Sequence, residues 1–152
     1  MIFETKIIFE PTSLKRHRHT KTGRTYDPSS KEKENFLKLL NIPLKKMGKP
    51  IKCILFFYSS RPRSHYRTGK FSNELKPTSP EYNMCKKDID NMAKFVLDAL
   101  NNKLYIDDAQ IIELHCKKLF SDIKDKGQLY MKFEEISHEN KTIQNKINEN
   151  TK

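Results

Sequence analysis

At 152 residues the chain has room for one compact domain and not for two comfortable ones. Hydrophobic residues make up 36% and charged residues 32%, and no apolar run approaches the roughly 20 residues that span a bilayer; the longest, Ile54 to Tyr58, is strand-sized. Thirty Lys and Arg against nineteen Asp and Glu leave a net charge of +11, which favours a polyanionic partner.

Ile2 to Phe9 alternates, with Phe3, Thr5, Ile7 and Phe9 on one face, and reads as a strand stopped by Pro11. It has no cleavage-site pattern and is not a signal peptide, so the expectation is a soluble intracellular protein, cytoplasmic or nucleoid-associated. Whether a cell, a phage or a larger virus encodes it stays open. Thr12 to Ser30 carries the turn residues Gly23 and Pro28 and reads as a loop. Within it Lys15, Arg16, Arg18, Lys21 and Arg24 are joined by two His and no acid. Ser29 or Ser30 then caps an expected helix from Lys31 to about Leu40, with Phe36, Leu37 and Leu40 inward.

Ile51 to Ser59 is a continuous apolar run, the pattern of a buried central strand. Arg61 to Lys87 is broken by Pro62, Gly69, Pro77 and Pro80 and reads as a long loop. It brings a second basic stretch, Arg61, Arg63, Arg67 and Lys70, and ends on Lys86 and Lys87. Each basic run alone is the ordinary pattern of a solvated loop. Three of them flanking a carboxylate cluster point to a phosphate backbone, as does Lys117 further on.

Asp90 or Asn91 caps a helix reaching about Leu100, with Ala93, Val96, Leu97 and Leu100 as its buried stripe. Ala109 to Phe120 alternates again, which places Ile112, Leu114 and Cys116 inside and Glu113, His115 and Lys117 outside. Gly127 suggests a hairpin turn, and Gln128 to Ile136 the last strand. The expected domain is therefore residues 1–136, an α+β two-layer fold with a mixed β-sheet, helices on one face and the order β-α-β-α-β-β. Residues 137–152 are almost wholly polar and read as a disordered tail. Cys53, Cys85 and Cys116 have neither CxxC nor zinc-finger spacing, so they are expected as reduced thiols, Cys53 and Cys116 as small core hydrophobes.

The chemistry concentrates between Lys87 and Asp108. Asp88 and Asp90 stand two residues apart at a helix entry, where alternate side chains of extended backbone converge. Lys94 follows four residues after Asp90 on the same helix face, and Asp107-Asp108 sits in the turn after the helix. Grouped carboxylates in so basic a chain need compensation, and a hard divalent cation supplies it while also suiting phosphodiester hydrolysis. The plain alternative is that these aspartates cap a helix and a turn.

The stretch from Lys87-Asp88-Ile89-Asp90-Asn91 through Lys94, then Asp98-Ala99-Leu100, then Asp107-Asp108-Ala109-Gln110, resembles the signature of the RusA family of Holliday-junction resolvases. Gly23 to Pro28 resembles family members more loosely. The resemblance implies a RusA-like fold and a homodimer that resolves four-way DNA junctions by paired symmetric nicks in recombination and repair. It implies Asp88, Asp90 and Asp108 as ligands of Mg²⁺, for which Mn²⁺ can substitute, with Asp107 as an alternative ligand and Lys94 as a catalytic lysine. No small-molecule cofactor is expected. Two rival readings share these residues: a nuclease for flaps or replication forks, and a non-catalytic junction-binding protein. An RNA-binding module is disfavoured, since neither an RNP-like aromatic strand nor a GxxG loop occurs. Tyr66 or Phe71 are candidates to wedge into a junction's open centre.

Overall fold

A computed structural model of the chain describes residues 1–137. Its centre is β4 (Ile51–Ser59), in which Ile51, Cys53, Leu55 and Phe57 are buried while the residues between them are half-covered. That period of two shows a strand central in the sheet but covered on one face only. It pairs in parallel with β5 (Ile111–Phe120) and antiparallel with β6 (Gln128–Glu135), and β6 pairs antiparallel with β1 (Ile2–Ile8). The sheet order is β1-β6-β4-β5.

Two helices lie on the covered face. In α1 (Ser30–Lys38) Phe36 is fully buried, and in α2 (Ile89–Leu100) the buried side chains are Met92, Ala93, Phe95, Val96, Ala99 and Leu100. All join one core with Phe3, Leu129, Met131 and Phe133 of the sheet. Phe9, Phe36 and Phe95 bind the layers together, with ring centroids 5.0 Å apart for Phe9–Phe36, 5.7 Å for Phe36–Phe95 and 6.0 Å for Phe9–Phe95. The fold is thus α+β with a mixed sheet and helices on one face, and its main elements follow the expected sequence.

Several local expectations are corrected. The segment read as a loop before α1 contains a short hairpin, β2 (Arg18–His19) with β3 (Thr25–Tyr26), turning at Gly23 with φ of +80°. Helix α2 starts earlier than expected: Asp88 is its N-cap, and Asp90 already lies in the first turn. No β5–β6 hairpin forms, because β6 inserts between β1 and β4. Its fully buried Leu129, Met131 and Phe133 need a strand on either side as well as the helices beneath. Gly127 serves that insertion through close approach. A Cβ there would lie 2.7 Å from Glu10 Cα and 2.9 Å from the Phe9 carbonyl oxygen, and its own carbonyl accepts from Phe9 N at 3.1 Å.

Strand β5 differs too. Leu114 pairs with Cys53 and so faces the helices, yet Leu114 is 46% and Ile112 62% exposed. As the edge strand, β5 extends beyond the cover that α2 gives. The 61–87 excursion is ordered by 3₁₀ turns at Arg63–His65 and Gly69–Phe71 and by a Tyr66–Leu75 bridge. The expected tail from residue 138 lies outside the described residues.

Candidate active site

The N-terminus of α2 is built where the acidic motif meets the helical apolar stripe. The backbone of Asp88 is extended, φ −73° and ψ 133°, and its carboxylate makes no capping hydrogen bond. A side chain at that position normally accepts from the first turn; this one is left free. Asp90 is exposed, and Lys94 Nζ lies 3.5 Å from its Oδ2. With side chains 60% and 65% exposed, that pair contributes at most a few tenths of a kcal/mol and can open for a ligand.

The first basic run reaches this point. Leu14 N donates to the Asn91 carbonyl at 3.0 Å, and Leu14, Lys15, Arg16 and His17 line a cleft of about 450 Å³ with Asp90, Asn91 and Lys94. Ser29 supports the run from beneath: fully buried, it accepts from Lys15 N at 3.0 Å and caps nothing with its side chain. Lys15 Nζ holds Glu32 at 2.6 Å. Arg18, Lys21 and Arg24 are exposed on the small hairpin. Lys86 is exposed, and Lys87 ties the chain to β1's exit by donating to the Pro11 carbonyl at 2.7 Å.

Lys118 escaped the sequence reading. Its Nζ donates to the carbonyls of Cys85 at 2.7 Å and Lys87 at 2.5 Å, fixing the backbone that leads into Asp88. The only sequence signal was a lysine at an inward position of β5, opposite Phe57.

The second basic stretch is divided by the structure. Arg61 is only 8% exposed; its Nε donates to the Ser121 carbonyl at 3.0 Å and its Nη1 to the Pro80 carbonyl at 2.7 Å, beside the Phe120 ring. Its expected phosphate contact gives way to a structural post. Arg63 and Arg67 line a separate cleft of about 560 Å³ with Lys124, Arg67 also stacking 4.3 Å over Phe71 and pairing with Glu74 at 2.6 Å. Lys70 sits 5.2 Å from the Phe71 ring. Tyr66 is 6% exposed and packs as core, whereas Phe71 stays accessible under its cations. Lys117 lies over Phe56 at 5.3 Å, on the sheet face away from the helices.

The Asp107-Asp108 turn belongs to the other end of α2. Asp107 is a cap: its Oδ1 accepts from Ala109 N at 2.8 Å, while Gln110 Oε1 accepts from the backbone of Ile106 at 2.9 Å and Asp107 at 3.0 Å. Gln110 Nε2 clamps the turn to the carbonyls of Met47 at 3.2 Å and Lys49 at 3.0 Å, just ahead of β4. Tyr105, fully buried, donates to the Leu97 carbonyl at 2.6 Å. Asp108 is exposed and free of such duty. Twelve residues of α2 separate this turn from Asp88, about 18 Å at 1.5 Å per residue. Accordingly, among the described residues no three His, Cys, Asp or Glu side chains gather as a metal would require.

Burial pushes the Cys53 thiol far up and the Cys116 thiol to about 11, in keeping with small core hydrophobes, and Cys85 is exposed. Among the described residues no helix is long and apolar enough to cross a membrane.

Fold and site together define a small basic α+β domain whose second helix presents Asp90 and Lys94 to a cation-lined cleft, with Asp88 exposed at its N-cap. The family model for the endodeoxyribonuclease RusA matches residues 9–126, and the chain belongs to that family of DNA-cutting enzymes. It is also similar to the uncharacterized protein YqaN of Bacillus subtilis (strain 168), 32% identical over 78 residues. The match covers 48% of this chain and 51% of that protein, so the chain spans about half the length of this curated relative.

Proposed function

We propose that the protein is a Mg²⁺-dependent endodeoxyribonuclease that resolves four-way DNA junctions as a homodimer, by symmetric nicks in recombination and repair. The observation that carries this reading is the α2 N-terminus. Asp88 and Asp90 are both exposed there, Asp88 is unused as a cap, and the cations Lys15 and Arg16 line the same cleft as Asp90 and Lys94. A helix N-terminus is otherwise an anion site; two carboxylates on it reverse the local sign and suit a cation next to a phosphate.

The donors are all oxygens, the set that Mg²⁺ prefers. Inside one subunit Asp88 and Asp90 would hold the ion, and Asp108, at the far end of α2, does not join them. Such an ion supplies charge stabilisation and a water of lowered pKa. Lys94, released from Asp90, reaches the scissile phosphate. Arg16, Arg18, Lys21 and Arg24 hold the flanking backbone, with Arg63, Arg67 and Lys70 gripping a further arm, and such contacts fix position without reading sequence. A two-fold dimer matches the two-fold symmetry of strands nicked in pairs.

The test is a nicking assay on a synthetic four-way junction, a fork and a flap, each with Mg²⁺ or with EDTA. Paired nicks in the junction, dependent on Mg²⁺ and in preference to the other two, are expected. Preferred cutting of the fork or flap would transfer the protein to the rival nuclease reading. Binding without cutting under every metal condition would leave only a junction-binding protein.

A further inference from the structure

The 61–87 excursion encloses a cleft suited to more than a duplex backbone. Its two walls leave the sheet at the same end: residues 61–74 follow β4 and residues 121–125 follow β5, and those strands run in parallel. Lys124 joins the walls, donating from Nζ to the Ser72 carbonyl at 3.2 Å and to Asn73 Oδ1 at 2.7 Å. The cleft, about 560 Å³, is lined by Arg63, Arg67 and Lys124 against Asp125. Clefts for small molecules run roughly 300–1,000 Å³, so one nucleotide fits here and a duplex does not. We infer that the cleft is a subsite for an unpaired nucleotide of the branched DNA, with its base stacked on the Arg67 guanidinium and its phosphate on Arg63 and Lys124. This rests on the nuclease reading above and names the part of the substrate held away from the cut.

The Arg67 guanidinium is held as a platform. The Phe71 ring lies 4.3 Å from it and the Glu74 carboxylate 2.6 Å, so its plane is fixed, yet 47% of the Arg67 side chain stays exposed. A planar cation held in this way stacks on a base of any identity. Phe71 is thereby a prop for the platform, not a wedge. Lys124 uses two of its three donors on Ser72 and Asn73 and keeps one for a phosphate, and Arg63 is exposed beside it in the same cleft. Extruding a base costs least where pairing is already interrupted, as it is at a branch point.

The place of the cleft suits a strand that also passes the aspartates. Helix α2 begins at this same end of the sheet, where Asn83 N donates to the Lys118 carbonyl at 3.2 Å and Lys118 Nζ holds the carbonyls of Cys85 and Lys87. A further cleft of about 500 Å³, lined by Pro62, Asn83, Lys86 and Lys87 among others, connects the two regions. Pro62 adjoins Arg63 of the first cleft, and Lys87 adjoins Asp88. A strand leaving the carboxylates can therefore cross the exposed Lys86 and enter beside Arg63.

The experiment measures, by fluorescence anisotropy in EDTA, the affinity of the full chain for a fully paired four-way junction, one with unpaired thymidines at the branch point, and one with abasic residues in their place. The thymidine junction is expected to bind roughly tenfold tighter than the paired one, the scale of a single stacked base. The abasic junction, equally flexible, is expected to lose that gain. Arg67→Lys keeps the charge without the plane and is expected to abolish the preference for thymidine over abasic; should it fail to fold by circular dichroism, Phe71→Leu decides by the same ratio. A photoactivated 4-thiothymidine at the unpaired position is expected to crosslink within residues 61–74 or 121–125. An abasic junction bound as tightly as the thymidine one reduces the cleft to a phosphate site and overturns the stacking. Equal affinity for the paired and thymidine junctions, a preference that survives Arg67→Lys, or a crosslink elsewhere overturns the subsite even if the protein cuts DNA. If preference and crosslink are as expected but Mg²⁺ supports no cutting of any junction, the nuclease reading fails and the subsite stands. A protein that binds none of the junctions overturns both.

Discussion

Replacing Arg61 by methionine separates a structural arginine from a DNA-binding one. The substitution keeps the aliphatic stem and removes two charged donors, Nε to the Ser121 carbonyl at 3.0 Å and Nη1 to the Pro80 carbonyl at 2.7 Å. Hydrogen bonds of charged groups contribute roughly 1.5–3 kcal/mol each. The guanidinium over Phe120, 5.4 Å away, adds about 0.5–1 kcal/mol. Against this, methionine spares the desolvation of a buried cation. The net loss is about 2–4 kcal/mol, which at roughly 2–4 °C per kcal/mol lowers Tm by about 5–15 °C. DNA affinity measured well below that Tm, as a function of salt, is expected to keep its slope. Arg63→Ala is the control, because Arg63 is exposed. It is expected to leave Tm in place and flatten the slope of log K against log[salt] by about 0.9, one phosphate contact. If Arg61→Met holds its Tm and loses that unit of salt slope, Arg61 faces the DNA and the burial argument is wrong.

Three further outcomes follow from the same structure. At pH 8 a thiol reagent is expected to label Cys85 quickly and to leave Cys53 and Cys116 unmodified until the protein unfolds, since burial raises both of their thiols; rapid labelling of Cys53 would mean an open core. His65, edge-on to Phe120 with centroids 4.7 Å apart, has its pKa lowered from 6.5 by burial and then by Arg61 and Lys76. A depressed histidine favours the fold above pH 6.5, and that contribution is lost as pH falls through the folded value, so proteolysis of the 61–80 excursion should quicken on acidification and slow again in His65→Phe. Lys118→Met removes the donor that holds the Cys85 and Lys87 carbonyls. It should slow nicking several-fold at unchanged junction affinity, with substantial rescue by Lys118→Arg, whereas a purely global effect would appear as lower Tm with normal cutting of the folded fraction.

Which parts of this architecture could be read from the chain depends on the range of the forces involved. Helix α2 and its acidic entry were legible because period, cap and charge all lie within a dozen neighbouring residues, although the start shifted to Asp88. The insertion of β6 was not, since a glycine before a strand looks the same whether it turns a hairpin or lets the backbone approach Glu10. Arg61 looked like one more surface cation because its partners, Pro80 and Ser121, are 19 and 60 residues away. Ile112 and Leu114 alternate as core residues do, and only the sheet order reveals that they lie on an edge. In the Asp107-Asp108 pair the sequence cannot say which carboxylate is used locally. The capping box assigns that duty to Asp107 and leaves Asp108 free.

The most direct measurement is single-turnover cleavage of a four-way junction by Asp90→Asn, at protein concentrations where occupancy of the DNA is verified in the same tube. The account predicts that binding is kept or tightened, because a negative charge leaves the phosphate-facing cleft, while Mg²⁺-dependent nicking falls by about a thousandfold, the scale on which a transition-state charge contact acts. Cutting at the unsubstituted rate with full occupancy would contradict it.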